Sequence, residues 1–247
     1  MNAVKKLFLP FLLLLLIFSG CKKNEYYDNY LKDYSEIYAA IKKNRYVEYK
    51  VDSFEYRYNY PTQFIDTHSY YIKELIADTF RDNAGRLNAR IEIYKKYNLT
   101  DAYQIDRVWY AYRSKTSYER IEDDIRYVKL IFPPAVGRTW NGNQYVPFSD
   151  VDGQRYDYLK DWSYQYTSFD VPMDVTTLHF DFTATVEEVN DENLIDKKLS
   201  VVTYAKDVGI IKKEFWLINK QDPASPWSAP NKANGVKILY NAIAFRP

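Results

Sequence analysis

Cys21 is the only cysteine of the chain, and its position gives it the clearest chemical role in this sequence. It follows an apolar run, residues 7–18, and two small residues, Ser19 and Gly20, while two lysines precede the run. A charged start, a short apolar core and a small-residue cleavage site are typical of a signal peptide. The run is shorter than the roughly 20 residues that a transmembrane helix needs. We therefore predict a signal peptide at residues 1–20.

The stretch Phe18-Ser19-Gly20-Cys21 resembles a bacterial lipobox, in which the cysteine after the cut receives a diacylglycerol on its sulfur. In many bacteria a further acyl chain, such as palmitate, is added to the new amino group, and two or more chains anchor a protein stably. A free cysteine is the alternative, but exported proteins tolerate free thiols poorly. We predict lipid attachment at Cys21, a tether at residues 21–28, and a location in the bacterial cell envelope, at the outer membrane.

The rest of the chain lacks the patterns of metal-dependent or nucleophilic catalysis. Without a second cysteine there is no disulfide and no cysteine-ligated metal site. The two histidines, His68 and His179, have no metal-ligand spacing; we expect His68 in a polar turn and His179 solvated on a strand. No nucleophile elbow and no glycine-rich phosphate loop is present. We predict no catalytic residue, no metal and no cofactor.

Two acidic groups could supply the carboxylate pair of a glycosidase, which must lie at a set separation in space. They are Glu122-Asp123-Asp124, before a predicted strand, and Glu187-Glu188 with Asp191-Glu192. We expect solvated turn carboxylates at both places. The stretch Asp150–Gly153 with Asp157 offers oxygen ligands, but its glycine is misplaced for a calcium loop, so we expect a tight turn there.

Charge and composition limit the classes of partner. The chain has 34 Lys and Arg against 33 Asp and Glu, so nothing favours nucleic acid, and we predict no such partner. Aromatic residues make up 18% of the chain, and 26 of them are tyrosines. Tyrosine suits a pleated surface that is apolar along the ring and wet at the hydroxyl. This composition fits either simple β propensity or an aromatic binding surface.

Hydrophobic periodicity predicts one helix and then strands. Apolar residues at helical spacing indicate an amphipathic helix near residues 29–43. From Arg45 onward the period is two, which indicates half-buried, antiparallel strands. No domain boundary is visible, so we predict a single β-rich domain over residues 29–247. The predicted strands are 53–60, 106–113, 125–132, 178–186, a hairpin over 198–219 that turns before Gly209, and 236–245.

Two segments carry a resemblance to a known group of proteins. Phe132–Trp140 with Asn141-Gly142-Asn143, and Tyr204–Glu214, resemble segments of uncharacterised Bacteroidetes-type envelope lipoproteins. Those proteins are similar to a wider group that includes the periplasmic lipoprotein carriers. The resemblance implies a mostly β fold: a strongly curved antiparallel sheet or half-barrel with one N-terminal helix. By analogy alone it implies an apolar concave site.

These observations lead to two hypotheses for the function, each from a different class of protein. The leading hypothesis is a non-enzymatic, lipid-anchored binding or structural module that holds a lipid or other apolar molecule in a concave face. From strand positions we expect that face to be lined by Tyr56, Tyr58, Tyr110 and Trp216.

The alternative is a cell-surface glycan-binding accessory protein or glycosidase. Its aromatic platforms would be Trp162 and Trp227, which lie in loop-like sequence. A concave, dry cavity would favour the lipid-binding hypothesis, and a groove lined by tryptophan and paired acids would favour the glycan-binding one.

Overall fold

The computed structural model describes residues 33–39, 41–148 and 153–247. The predicted signal peptide, Cys21 and the tether lie outside these residues, as does most of the turn predicted at 150–153. Tyr34 to Pro247 form one compact unit.

A single 12-stranded antiparallel sheet forms the body of this unit and curls into a nearly closed barrel. This confirms the predicted class, a mostly β fold built on a strongly curved antiparallel sheet, with one short α-helix among the described residues. The helix, α1, spans Tyr34–Tyr38. The strands are β1 Tyr46–Asn59, β2 Thr62–Arg81, β3 Leu87–Lys96, β4 Gln104–Arg113, β5 Ser117–Glu122, β6 Ile125–Ile131, β7 Thr139–Trp140, β8 Tyr164–Val175, β9 Leu178–Glu192, β10 Asp196–Ala205, β11 Gly209–Lys220 and β12 Ala233–Arg246.

Two meanders build the sheet and meet at the first and last strands. The order is β6-β5-β4-β3-β2-β1-β12-β11-β10-β9-β8-β7, so nearly every neighbour along the chain is also a neighbour in the sheet. β1 and β12 join the halves, with Tyr46 opposite Arg246 and Tyr56 opposite Gly235. The first and last strands of the sheet are therefore neighbours.

The two free edges, β6 and β7, approach each other and nearly close the barrel. The Val128 amide donates to the Gly142 carbonyl at 2.8 Å, and Trp140 Nε1 donates to the Val128 carbonyl at 2.8 Å. Gly142 passes so close to Tyr164 that a Cβ atom there would lie 2.4 Å from its ring. Glycine at this position allows the seam to close.

Tyrosine is used as a core residue. Tyr49, Tyr164, Tyr166 and Tyr204 are almost completely buried. Tyr49 and Tyr166 donate their hydroxyl protons to main-chain carbonyls at 2.8 Å, so the polar tip is satisfied while the ring packs. The high tyrosine content therefore supplies much of the interior of this barrel.

The two ends of the barrel differ. At one end, named here the helix end, the Asp207 amide donates to the Ile37 carbonyl at 2.8 Å, and Tyr38 donates to Asp170 at 2.8 Å. The chain enters the sheet at this end, where β1 starts. The opposite end, the mouth end, carries the turn at 123–124 and the short 3-10 helix Gly153–Leu159.

The structure contains strands that were not among those predicted from the sequence, including β2, β3 and β8. The hairpin predicted over 198–219 is β10 and β11, and Gly209 takes a φ of +104° after the turn. The predicted helix near 29–43 is, in its described part, only α1. His68 lies within β2 opposite Ser53, so the polar turn expected there is wrong. Among the helices of the described residues, none has the length and apolar character to cross a bilayer.

Candidate ligand-binding cavity

A cavity of about 490 Å³ lies inside the barrel, and its lining includes Asp123, Tyr156 and Tyr158 from the mouth end. Its volume falls within the roughly 300–1,000 Å³ of small-molecule sites. The walls combine rings with charges. The aromatic residues are Trp109, Tyr127, Tyr156, Tyr158, Trp162, Tyr164, Phe215 and Tyr240. The charged residues are Arg107, Glu122, Asp123, Lys129, Glu188 and Lys213.

Strand alternation positions these side chains. Residues directly opposite each other in an antiparallel pair share a face of the sheet. Ala111 pairs with Arg120, and Arg120 with Tyr127, so these three face the interior. Two residues further along their strands, Trp109 and Glu122 face the interior as well. The charged residues are therefore on the inner face of the barrel.

A buried ion pair crosses the interior between β6 and β9. Lys129 Nζ lies 3.0 Å from Glu188 Oε1, and Ser200 donates its hydroxyl proton to Glu188 Oε2 at 2.7 Å. The β9–β10 register passes from Val189–Ser200 to Glu187–Val201, which leaves Glu188 as the extra residue of a β-bulge. Bulges re-aim side chains. Glu188 is 2% exposed, so the solvated turn carboxylate expected there is wrong.

A second charged group surrounds Arg120. Arg120 Nη1 donates to Glu74 at 3.0 Å, and Arg120 Nε lies 2.7 Å from Glu122. Burial raises the pKa of Glu122, but the positive charges of Lys129, Arg120 and Lys213 outweigh it and lower that pKa to about 2. Glu122 ends β5 inside the cavity and is not the solvated turn residue expected. It stays ionised at neutral pH, so it is poorly suited to donate a proton as a general acid.

The aromatic walls are held in place by their own hydrogen bonds. Trp109 Nε1 donates to Asp123 at 3.1 Å, and Arg107 reaches the same carboxylate at 3.3 Å. Trp162 Nε1 donates to the Tyr158 carbonyl at 2.7 Å, and its ring packs against Tyr158 and Phe215. Fixed rings lose little conformational freedom when a ligand arrives, which favours binding.

None of the four residues expected to line an apolar site is among those lining this cavity. Tyr56 and Trp216 are buried together in a separate cluster with Ile218 and Ala233. Phe215 and Ile238 pair and face the cavity, so Trp216, the next residue, lies on the outer face of the sheet.

Tyr58 and Tyr110 are on that outer face too. Val51 pairs with Tyr240, a cavity residue, so every second residue from Val51 points inward and Tyr58 points outward. Tyr110 pairs with Ile121, between the inward-facing Arg120 and Glu122.

The two proposed glycan platforms are in different places. Trp162 lines the cavity and is almost completely buried. Trp227 is half-buried and packs on the outer cluster that contains Tyr56 and Trp216, with Lys220 Nζ 4.3 Å from its ring centroid. Cys21 lies outside the described residues.

Charged residues at alternate positions carried a signal for the cavity that the sequence interpretation did not use. Arg120 and Glu122, and Lys129 two residues after Tyr127, recur with period two, which places each pair on one face of its strand. Within the described part of the chain, no cluster of three or more His, Cys, Asp or Glu side chains is placed to hold a metal ion.

No protein-family model matches this chain, and neither a curated protein nor a solved structure does.

Proposed function

We propose that this protein is a lipid-anchored, non-enzymatic binding protein of the bacterial cell envelope, and that the barrel interior holds a small amphipathic molecule. The observation that carries the proposal is the open cavity of about 490 Å³, with rigid aromatic walls and ion pairs already formed. Cavities that combine an apolar lining with a few convergent polar groups are typical ligand sites.

The charged lining refines the ligand class expected from the sequence. A wholly apolar molecule that filled the cavity would strip water from Glu122, Lys213 and Asp123 without replacing its hydrogen bonds, which is costly. An amphipathic molecule would place its apolar part against Trp109, Phe215 and similar rings. Its polar group would then meet the charged side chains.

The second candidate is a glycan-binding protein, and one specific observation favours it. Trp162 and Trp109 both line the cavity, which also offers Ser200 and several carboxylates as hydrogen-bonding groups. Rings stack on sugar faces, and these polar groups would bond to the hydroxyls. The low pKa of Glu122 makes this residue a poor candidate for the protonated acid that retaining and inverting glycosidases both need.

Native mass spectrometry of the purified mature protein separates these candidates. Spectra are recorded for the protein as isolated. They are then recorded after addition of palmitate, the amphipathic probe, and separately after addition of cellobiose, the glycan probe. We expect a one-to-one complex with palmitate and none with cellobiose. A complex with cellobiose alone supports the glycan candidate, and the absence of any complex, added or co-purified, contradicts the binding function.

The anchor has its own test. Detergent phase partitioning and mass analysis of the N-terminal peptide should show acyl mass on Cys21 in the wild type. Cys21→Ser removes the only sulfur nucleophile, so this variant should lose the acyl mass and leave the membrane fraction. Wild-type protein without acyl mass would contradict the lipid anchor and leave the cavity proposal standing.

A further inference from the structure

Two turns of the sheet present large apolar side chains to solvent. Tyr60, between β1 and β2, is 84% exposed, and Leu194, between β9 and β10, is 73% exposed. Phe64 and Ile65, beside the first turn, and Ile195, in the second, are each about half exposed. None of the five belongs to a hydrophobic cluster of the described barrel, so packing within the fold does not account for them.

A chain of hydrogen bonds holds the two turns side by side. Gln63 Nε2 donates to the Ala233 carbonyl at 3.0 Å, and the Ala233 amide donates to Gln63 Oε1 at 2.6 Å. Ala233 pairs with Lys220 of β11, whose amide donates to the Ile195 carbonyl at 2.7 Å. Neighbouring strands are about 4.8 Å apart, so the two turns lie within roughly 15 Å of each other. Together they form one surface, named here the apolar tip.

The apolar tip protrudes and is already ordered. Phe64 and Ile65 are successive residues of β2 and point to opposite faces of the hairpin, yet both are about half exposed. Both faces of the hairpin end are therefore open to water. The β1–β2 pairing is unbroken as far as Asn59 and Thr62. In the second turn Asn193 Oδ1 accepts from two main-chain amides, at 2.9 and 2.8 Å, which fixes its shape.

The apolar tip carries no charge. Residues 58–65 and 193–195 are all uncharged. The charged side chains that flank them have polar partners: Arg57 pairs with Asp66, Lys197 with Glu192, and Asp196 accepts from Asn219. This surface therefore has no electrostatic means of selecting a charged partner.

The area of the tip is small for a protein partner. The five exposed fractions amount to about three whole side chains, or roughly 600 Å² at about 200 Å² each. Each partner in a stable protein–protein interface buries about 800 Å². One flat partner surface would also leave one face of the protruding hairpin in water. Fluid lipid has neither restriction, because it closes around protruding side chains of any shape.

We propose that the apolar tip inserts into the interfacial layer of a lipid bilayer. Leu194 and the Phe64 ring would enter the acyl boundary. Tyr60 is apolar along its ring and polar at its hydroxyl, which suits the level of the headgroups. The proposal depends neither on the ligand of the large cavity nor on acylation of Cys21.

Flotation with phosphatidylcholine vesicles tests the proposal on the mature chain. Cys21→Ser serves as the parent protein, because it cannot carry the lipid that would bind the vesicles by itself. The parent should float with the vesicles, and added sodium chloride should not release it, since the tip is uncharged. Tyr60→Ser/Leu194→Ser in this parent should lower the floated fraction at least about tenfold, because two inserted side chains are lost.

Leu99 supplies the matched control. It is 68% exposed in the turn between β3 and β4, but that turn contains Asp101. The preceding Lys96 pairs with Tyr71 of β2, roughly 30 Å along the strand from the hairpin end. Leu99→Ser should float like the parent. With vesicles, the fluorescence of Leu194→Trp should shift to the blue, and that of Leu99→Trp should not.

Three results would overturn the proposal. The first is a parent protein that stays at the bottom of the gradient. The second is equal flotation of the parent and Tyr60→Ser/Leu194→Ser, each shown to be folded by circular dichroism. The third is a parent that light scattering shows to be a dimer and that the same double variant makes monomeric, since the tip would then contact a second copy of the chain.

Discussion

Lys129 and Glu188 form an ion pair inside the barrel, with Lys129 Nζ 3.0 Å from Glu188 Oε1. The pair links β6, an edge strand, to β9 on the far side of the seam. Replacing Lys129 with Met would leave the Glu188 carboxylate buried without its counter-charge. Breaking a buried pair from one side costs about 3–5 kcal/mol. We expect a loss of that size in the free energy of unfolding of Lys129→Met, measured by urea denaturation.

The matched control removes both charges. The double variant Lys129→Met/Glu188→Leu should recover much of the stability, because no unpaired charge remains. A loss below about 1 kcal/mol in the single variant, the range of exposed pairs, would show that the charges are solvated instead.

The pH dependence of stability should report on Glu122. Its pKa in the folded protein is about 2, against an ordinary value of 4.5, so the ionised form stabilises the fold. That stabilisation is fully present above pH 4.5 and is lost as the pH falls towards 2. Glu122→Gln should therefore lower the free energy of unfolding at pH 7 by up to about 3 kcal/mol.

The difference between wild type and Glu122→Gln should shrink steadily between pH 4.5 and pH 2. Asp124→Asn is the control, because Asp124 is an exposed neighbour in the adjacent turn, and its substitution should change little at any pH. A Glu122→Gln difference that stayed constant over this pH range would contradict the low pKa.

Gly142→Ala should disturb the seam of the barrel. The new methyl group would lie 2.4 Å from the buried ring of Tyr164 and would force that ring to move. Overpacking of this kind costs about 1–3 kcal/mol. We expect a lower Tm together with a changed near-ultraviolet circular dichroism spectrum, which reports on fixed aromatic rings.

Gly85→Ala separates this steric effect from backbone strain. Gly85 has a φ of +74° but open space around its Cβ position. Its substitution should lower Tm without changing the near-ultraviolet spectrum. An unchanged spectrum in Gly142→Ala would mean that the seam relaxes without moving Tyr164.

The sequence predicted the class of the fold because strands with alternating polarity have a period that is easy to detect. The hairpin of β10 and β11 and the last strand were both predicted close to their observed positions. The strong curvature of the sheet was predicted only from the resemblance to the envelope lipoproteins, since no periodicity encodes how far a sheet bends.

The lining of the cavity was not predicted, because a period of two does not say which face is inside. Trp109 and Tyr110 are adjacent in β4, yet Trp109 lines the cavity while Tyr110 is 42% exposed on the outer face. Strand position alone selects Tyr110 for the lining and does not distinguish the two faces. The inner face also carries charges, which ion pairs such as Lys129–Glu188 satisfy.

Glu188 could not be placed from the sequence for a different reason. Its inward position depends on a β-bulge opposite β10, and a bulge is a property of the register between two strands.

Two adjacent residues of β4, Trp109 and Tyr110, test most directly whether the ligand binds on the inner face of the barrel. The measurement is the palmitate-bound fraction in native mass spectra of the wild type, Trp109→Ala and Tyr110→Ala, each first shown to be folded by circular dichroism. We predict a bound fraction at least about tenfold lower in Trp109→Ala, as expected when a wall ring is removed, and no change in Tyr110→Ala. Loss of binding in Tyr110→Ala with full binding in Trp109→Ala would contradict the account and assign the ligand to the outer face.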